Sequence, residues 1–524
     1  MDERLAAAWR LLPGALAGHV LLSAGALALG LMLSLPLAVL AARHPLVRWP
    51  ALALAGLVQT VPSLALLALF YPLLLALSAL IRPILGHGLP ALGFLPSLLA
   101  LTLYCMLPIL RTGVAGLNGI DPAVLEAADG VGMTARQTLW LVQAPLAAPV
   151  VMAGVRTAAV WTIGAATLST AVGQSSLGDY IFSGLQTENW VYVLFGCAAS
   201  ALLALTADQL LGLIETGARR RDGRRIALGV AGLLVGICAA VAPGAWAELR
   251  APARSYVIGA KNFSEQFTLA ELIGDRLKAD GAGVDLKQGL GSAVIFHALA
   301  SGDLDAYVDY TGTLWTNVLG RKDTPPPGVM LAELRRELAE RYGVTLLGPL
   351  GFENAYVLAM KAERAKALRL ADIADVSPRA PDLVLGSDLE FLSRPEWAAL
   401  KSAYGLNFKT ERSYSPTFMY RALDDGEADV ISAFSSDGRI AADHLIVLGD
   451  PKHAIPSYDA VLLVSPRRAH DQRLRRALMP LIGAIDVEAM RQANLMVDRD
   501  KRTPAQAAAF LETTPIAKST VEPR

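Results

Sequence analysis

Two architectures are predicted in one chain: an all-α polytopic membrane half, followed by an α/β half built of two sheet layers. Three observations carry this. Long runs of Ala, Leu, Val and Gly fill residues 1–250, which contain no lysine, 14 arginines and 11 acidic residues. The rest of the chain holds the other 33 basic and 36 acidic side chains, including every lysine, a composition made for water. From Tyr256 onward, short strand-like runs alternate with helical stretches, the pattern of a largely parallel sheet covered on both faces.

In the first half, segments 17–42, 50–75, 89–113, 146–172, 190–214 and 226–246 each have about the 20 residues needed to cross a hydrocarbon layer of roughly 30 Å. The first run is too long for a signal peptide and is expected to be a retained span. Arg43 and Arg48 follow it. Arg111, Arg136 and Arg156 mark the interval between the third and fourth, and Arg219, Arg220, Arg221, Arg224 and Arg225 separate the fifth from the sixth. Arginines beside spans stay on the cytoplasmic side, so alternation puts the N-terminus and the chain beyond 246 outside. Pro36, Pro62, Pro72 and Pro108 interrupt the runs, as bundle packing or as local breaks. Asp208, near the cytoplasmic end of the fifth span, is expected to snorkel or to sit at a subunit contact. The zero net charge offers no basic excess to a nucleic acid. Cys105, Cys197 and Cys238 all fall in apolar runs, which leaves the second half without a disulfide frame or metal cluster.

The polar interval 126–145, EAADGVGMTARQTLWLVQAP, reads as a cytoplasmic loop. Glu126, Ala127, Ala128, Gly132, Val142 and Pro145 match the coupling motif of permease subunits of binding-protein-dependent ABC importers, with Ala144 where leucine is usual. PSLALLAL (62–69), LPILR (107–111), DPAVLEAA (121–128) and GVRTAAV (154–160) extend the likeness. Residues 17–215 thus resemble permeases for osmoprotectants such as glycine betaine, choline and carnitine. The resemblance implies that a short amphipathic helix in this loop, with Ala128 near its start and Gly132 allowing a tight bend, docks on a cytoplasmic ATPase. The chain has no GxxxxGK[ST] phosphate loop, so ATP and Mg²⁺ belong to that separate subunit and the chain itself is a transporter subunit rather than an enzyme, with no cofactor of its own.

Residues 226–254 read as an extra span and linker, 255–512 as the extracytoplasmic domain and 513–524 as a tail. IGAKNFSEQ (258–266), GDLDAYVDYTGT (302–313), GFENAYVLAM (351–360), DLEFLSRPEWAALKSAYGLNF (388–408), ALDDGEADVISAFSSDGRI (422–440) and IPSYDAVLLV (455–464) resemble the substrate-binding proteins of the same importers. That implies a two-lobed periplasmic-binding fold, with lobe 1 at about 256–356 and 463–512 and lobe 2 at about 357–462.

A trimethylammonium ion donates no ordinary hydrogen bond, and its effective partners are aromatic faces worth ~0.5–2 kcal/mol each. By resemblance, Tyr310, Tyr356, Phe434 and Tyr458 supply such a cage, Phe434 standing where tyrosine is more usual. Gln266 and Thr313 match residues that contact a ligand carboxylate. Asn262 supports the loop or caps the helix starting near Ser264. Glu353, Asn354 and Ala355 depart from the two asparagines and threonine common before the tyrosine, and Glu353 is a candidate partner for a ligand cation or imidazole N–H. The resemblance implies a multi-pass protein of the bacterial cytoplasmic membrane that imports a small quaternary-ammonium compound. A permease homodimer is expected, since one chain carries one coupling loop and a machine with two ATPases needs two. Ergothioneine, handled by relatives with the same fusion, is the alternative ligand. A membrane-anchored sensor without transport is the alternative of another class.

Overall fold

The computed structural model describes residues 3–85, 90, 92–186, 189–250, 255–321, 323–414, 416–452 and 454–514. The linker 251–254 and most of the tail lie outside the described residues. The chain divides into two compact units, one of residues 1–182 and 191–250 and the other chiefly of 251–524.

The first unit is helical: α1 (Glu3–Arg43), α2 (Pro45–Thr60), α3 (Ser63–Leu85), α4 (Phe94–Asn118), α5 (Pro122–Gly130), α6 (Ala135–Val172), α7 (Gly178–Gln186), α8 (Trp190–Arg220) and α9 (Gly223–Arg250). Among the described residues, five helices are long and apolar enough to cross a membrane: α1, α4, α6, α8 and the Gly223–Pro243 part of α9. The span expected at 50–75 is not one straight helix. Pro62 disfavours helical backbone at the residue before it, Val61 is extended (φ −74°, ψ 127°), and α2 and α3 meet at a 103° bend. Only if that bent pair counts as one span does the total reach six.

Small residues let α1, α4 and α6 approach closely. A Cβ at Gly154 of α6 would lie 2.8 Å from the Pro108 carbonyl oxygen of α4. Asp208 of α8 meets a partner within the chain, as an intramembrane carboxylate usually does. Both its oxygens accept from Arg156 of α6, at 2.9 and 2.8 Å, and Arg156 also donates to Glu215 at 2.7 Å. Asp208 and Glu215 are two helical turns apart on one face, so a single guanidinium reaches both.

The second unit holds two five-stranded sheets. The first comprises β1 (Ser255–Lys261), β2 (Gly283–Leu290), β3 (Ala306–Tyr310), β4 (Thr345–Glu353) and β10 (Asp459–Val464), ordered β2-β1-β3-β10-β4. The second comprises β5 (Tyr356–Lys361), β6 (Val384–Ser387), β7 (Thr410–Ser413), β8 (Val430–Phe434) and β9 (Leu445–Leu448), ordered β7-β6-β8-β5-β9. The expected two layers are present, yet the sheets are mixed rather than largely parallel. β1 pairs parallel with β2 and β3, and β6 with β7 and β8, whereas β10 runs antiparallel to β3 and β4, and β5 to β8 and β9. The physical reason is the double crossing. β5 and β10 each begin where the chain has just left the other lobe, so they run away from the cleft that their neighbours run towards. The chain crosses at 354–355 and returns between β9 and β10, so the return expected at 462 comes before Asp459.

Candidate functional site

The site forms where strands end and the chain crosses. β3 ends at Tyr310, β8 at Phe434, β5 begins at Tyr356, and Tyr458 immediately precedes β10. In-register pairing places Tyr356 directly opposite Phe434. Their ring centroids are 4.8 Å apart, and Tyr356 meets Tyr458 edge-on at 5.8 Å. Phe263, which sequence reasoning passed over, completes the set. It stacks on Phe434 at 5.9 Å and on Tyr310 at 6.2 Å. Tyr310, Phe263, Phe434, Tyr356 and Tyr458 therefore form one contiguous aromatic wall. Rings touching each other leave no room between them for an ammonium group, which needs its own approach within about 6 Å of a centroid. With Tyr310, Tyr356 and Tyr458 buried, a ligand would have to part the rings.

Two protein cations already lean on these faces. The Arg394 guanidinium lies 5.1 Å from the Tyr356 centroid and 6.0 Å from that of Tyr458, and the Lys261 ammonium lies 5.2 Å from that of Tyr310. Each has its own carboxylate: Lys261 pairs with Asp309 at 2.5 Å, and Arg394 with Glu396 at 3.0 Å, all four side chains being buried. Tyr458 Oη donates to Glu396 and accepts from Arg394 at 3.2 Å. Burial works to raise the Glu396 carboxyl, but bonding to Arg394 outweighs it and holds the group below the usual carboxylate range. Thr316 of the first lobe also donates to Glu396 of the second, at 3.2 Å. Nothing in the spacing of Arg394 and Glu396 along the chain announces this. The signal was two opposite charges flanking Pro395 in a stretch otherwise rich in apolar residues.

A third buried carboxylate, Glu265, is held differently. It lies in the first turn of α10 (Ser264–Ala279), 2% exposed. Its Oε1 accepts from Tyr310 Oη at 2.5 Å and Asn354 Nδ2 at 2.8 Å, and its Oε2 from Ser436 Oγ at 2.6 Å and Asn494 Nδ2 at 2.9 Å. All four are neutral donors. Burial raises its carboxyl above the ordinary range, and the four hydrogen bonds oppose that rise. Burial likewise pushes the Tyr310 phenol well up, with the Glu265 charge adding to it.

The remaining candidates lie as follows. Gln266 is buried, and its Nε2 donates to Tyr310 Oη at 2.9 Å while its Oε1 accepts from the Lys261 backbone N–H at 3.3 Å. Thr313 is buried one turn beyond Tyr310. Asn262 is exposed and does not cap α10, because the N-cap position falls on Phe263. Glu353 is also exposed, opposite Asp459 across the β4–β10 ladder. Partial burial and that neighbouring charge raise its carboxyl.

The interval 126–145 holds the expected short helix and the bend at Gly132, but the helix starts earlier, at Pro122, so that Ala128 lies near its end, and a second helix follows to make a hairpin. Asp121 accepts from the Ala123 N–H at 2.9 Å and starts α5. Gly132 ends it in a left-handed conformation (φ +79°), which lets the Met133 N–H reach the Ala128 carbonyl at 3.1 Å. Thr134 and Gln137 form a capping box that opens α6. Pro145 sits inside α6, just after a π turn over Thr138–Gln143 that absorbs its missing donor. Ala128 is the only buried residue of α5. Glu126 and Ala127 are exposed, and Val131, Trp140 and Leu141 are apolar residues left 74%, 66% and 66% exposed.

Comparison with known proteins places both halves. Residues 34–220 match the family model of the binding-protein-dependent transport system inner membrane component, and residues 254–512 match that of the substrate binding domain of ABC-type glycine betaine transport system. The ergothioneine transport permease/ergothioneine binding protein EgtU of Helicobacter pylori is 27% identical over 479 residues, covering 88% of this chain and 83% of that one. The choline transport system permease protein OpuBB of Bacillus subtilis is 37% identical over 197 residues, covering 38% of this chain and 83% of the relative. A crystal structure of a glycine betaine/carnitine/choline ABC transporter aligns with a TM-score of 0.43 at 29% identity, covering 49% of this chain and 97% of that one.

Proposed function

The chain belongs to the binding-protein-dependent importer permeases of the glycine betaine, choline and carnitine type, here continuous with their substrate-binding domain, and on that premise we propose that it captures and translocates a small quaternary-ammonium compound across the bacterial cytoplasmic membrane. The observation that carries this reading is the wall of five rings at the lobe crossing. Tyr310, Tyr356, Phe434 and Tyr458, with Phe263 between them, offer π faces to a cation that accepts nothing else. Gln266 acts through Tyr310, whose hydroxyl it holds. Thr313 and Asn262 serve the ligand's polar end, and Glu353 borders the site from its exposed position.

The α5–α6 hairpin, with Val131 and Leu141 exposed, docks on a separate cytoplasmic ATPase that carries ATP and Mg²⁺. Two copies of the chain supply the two hairpins such a machine needs, and the binding domain faces outward. A second reading, ergothioneine as the ligand, is favoured by the match to a fused relative of that name along both halves and by Glu353, where relatives carry asparagine. Calorimetric titration of the full-length chain in lipid nanodiscs against glycine betaine, choline, carnitine, proline betaine and ergothioneine tests both. Micromolar binding of a small betaine or choline supports the first, binding confined to ergothioneine supports the second, and no binding across the panel sinks both.

A further inference from the structure

We propose that Glu265 is the charge that makes the aromatic wall select cations, acting through Tyr310; this rests on the quaternary-ammonium reading above. Both protein cations on the wall are cancelled locally, Lys261 by Asp309 and Arg394 by Glu396. Glu265 differs, because its four recorded partners are all neutral donors. A buried carboxylate so held keeps a field that extends beyond its hydrogen bonds, since little water lies between to screen it.

The hydrogen-bond directions fix how that field reaches the wall. Gln266 Nε2 donates to Tyr310 Oη at 2.9 Å, so the Tyr310 proton points to Glu265 Oε1 at 2.5 Å. A short, charge-assisted bond of this kind shifts electron density from the hydroxyl into the ring and strengthens the face a cation would meet. The same carboxylate fixes the wall's geometry. It lies two residues beyond Phe263, and it binds Asn354, two residues before Tyr356, and Ser436, two residues beyond Phe434. Glu265 thus serves as a positioning and specificity-determining residue, without itself touching ligand.

The test separates charge from shape. Glycine betaine and 3,3-dimethylbutanoate differ only in a quaternary nitrogen replaced by carbon, so the ratio of their affinities reads the cation term alone. Both are titrated into the full-length chain in nanodiscs, with Glu265→Gln as the variant. Gln keeps the size and an acceptor for Tyr310 and Asn354, while its N–H₂ faces Ser436 Oγ, which can turn to accept, and Asn494 Nδ2, which the Ser436 carbonyl holds in place, so thermal unfolding of the variant is measured beside binding. Glu265→Gln should lower the preference for betaine over its carbon isostere by at least about tenfold, the order of one cation–π contact. Equal losses for both ligands, or none, would overturn the proposal and leave Glu265 a structural group.

Tyr310→Phe keeps the ring and carboxylate but cuts the bond between them. It should reduce the same ratio severalfold, and an unchanged ratio would again overturn the proposal even were Glu265→Gln poorly folded. Failure of the parent chain to bind any quaternary-ammonium compound would instead overturn the functional reading itself.

Discussion

Gly312 lies against the ring of Tyr458, and adding one methyl there tests whether that ring belongs to the ligand face. A Cβ at position 312 would lie 2.6 Å from Tyr458 Cε2 and Cζ and 2.8 Å from Cε1, against the 3.4 Å at which ordinary contact begins. The ring is 1% exposed and is anchored through Oη to Glu396 and Arg394, so it cannot swing into solvent. Overpacking of this kind costs about 1–3 kcal/mol, and a lost hydrogen bond to a charged group about 1.5–3 kcal/mol. The binding domain should therefore lose roughly 2.5–6 kcal/mol of stability, seen as a drop of several degrees or more in its thermal transition. If Tyr458 presents a face to the ammonium group, displacing it forfeits one cation–π contact of ~0.5–2 kcal/mol, a loss of about 2- to 30-fold in affinity. Gly291→Ala is the control, since φ there is −70° and nothing lies within 4 Å of its Cβ. Calorimetry and thermal unfolding on Gly312→Ala in nanodiscs read both quantities. Reduced stability with betaine affinity within twofold of the parent would remove Tyr458 from the ligand face. Unchanged stability would refute the packing argument itself.

Gly132→Ala puts a side chain where φ is +79°, a strain of about 1–2 kcal/mol confined to the α5–α6 hairpin. Ligand affinity should stay as in the parent, while ligand-stimulated ATP hydrolysis by the reconstituted complex should fall. Glu353→Gln removes one of two like charges facing across the β4–β10 ladder. Both carboxyls are raised by burial, and Glu353 further by the Asp459 charge. Raised carboxyls give stability that is present at low pH and lost as pH rises through their folded pKa values. The variant's advantage in thermal unfolding should therefore grow from about pH 4 to pH 7, reaching no more than roughly 0.5–1 kcal/mol for so exposed a pair. Arg156→Gln leaves Asp208 and Glu215 without their shared cation, and the yield of folded protein from membranes should drop. Asp208→Asn and Glu215→Gln added together should restore it, because the fully neutral set has no charge to desolvate.

What the sequence made legible was whatever depends on residue type and period. Apolar run length located the helices, and short strand-like runs at 255–260, 283–288, 306–308, 344–347, 356–360, 383–386, 429–434, 445–448 and 460–464 located nine of the ten strands described. The strand that escaped, Thr410–Ser413, is an exposed edge with the sequence TERS, which has no buried face to impose a pattern. The bend at Val61 was present as Pro62 but weighed as ordinary packing, because hydropathy averages over it. At 126–145 the short helix and its bend at Gly132 were legible, whereas its start at Pro122 and the second helix were not, because they are set by local caps, Asp121 and the Thr134–Gln137 box. Strand direction was misjudged for a topological reason, since no local signal in β5 or β10 records that the chain arrives from the other lobe.

The site divides along the same line. A tyrosine taken singly is as often a core or turn residue, so Tyr310, Tyr356, Phe434 and Tyr458 stood out through the family-like stretches that hold them, and the structure brings the four together through strand ends. Charged residues declare their chemistry only through partners. Lys261, Asp309, Arg394 and Glu396 lie inside stretches that resemble the family, but nothing along the chain records their pairing, and each is buried and cancelled within the wall's surroundings. Glu265 was hidden twice, as one acidic residue in the first turn of an amphipathic helix, where a carboxylate is ordinary, and as the neighbour of the more conspicuous Gln266. The balance of these charges bears on ligand choice more than the count of rings does. Five aromatic rings would accept any flat or apolar solute of suitable size, and two cancelled ion pairs do not change that preference. A buried carboxylate bonded to one ring, held by neutral donors alone, turns the same surface into one on which a positive charge is worth more than its size.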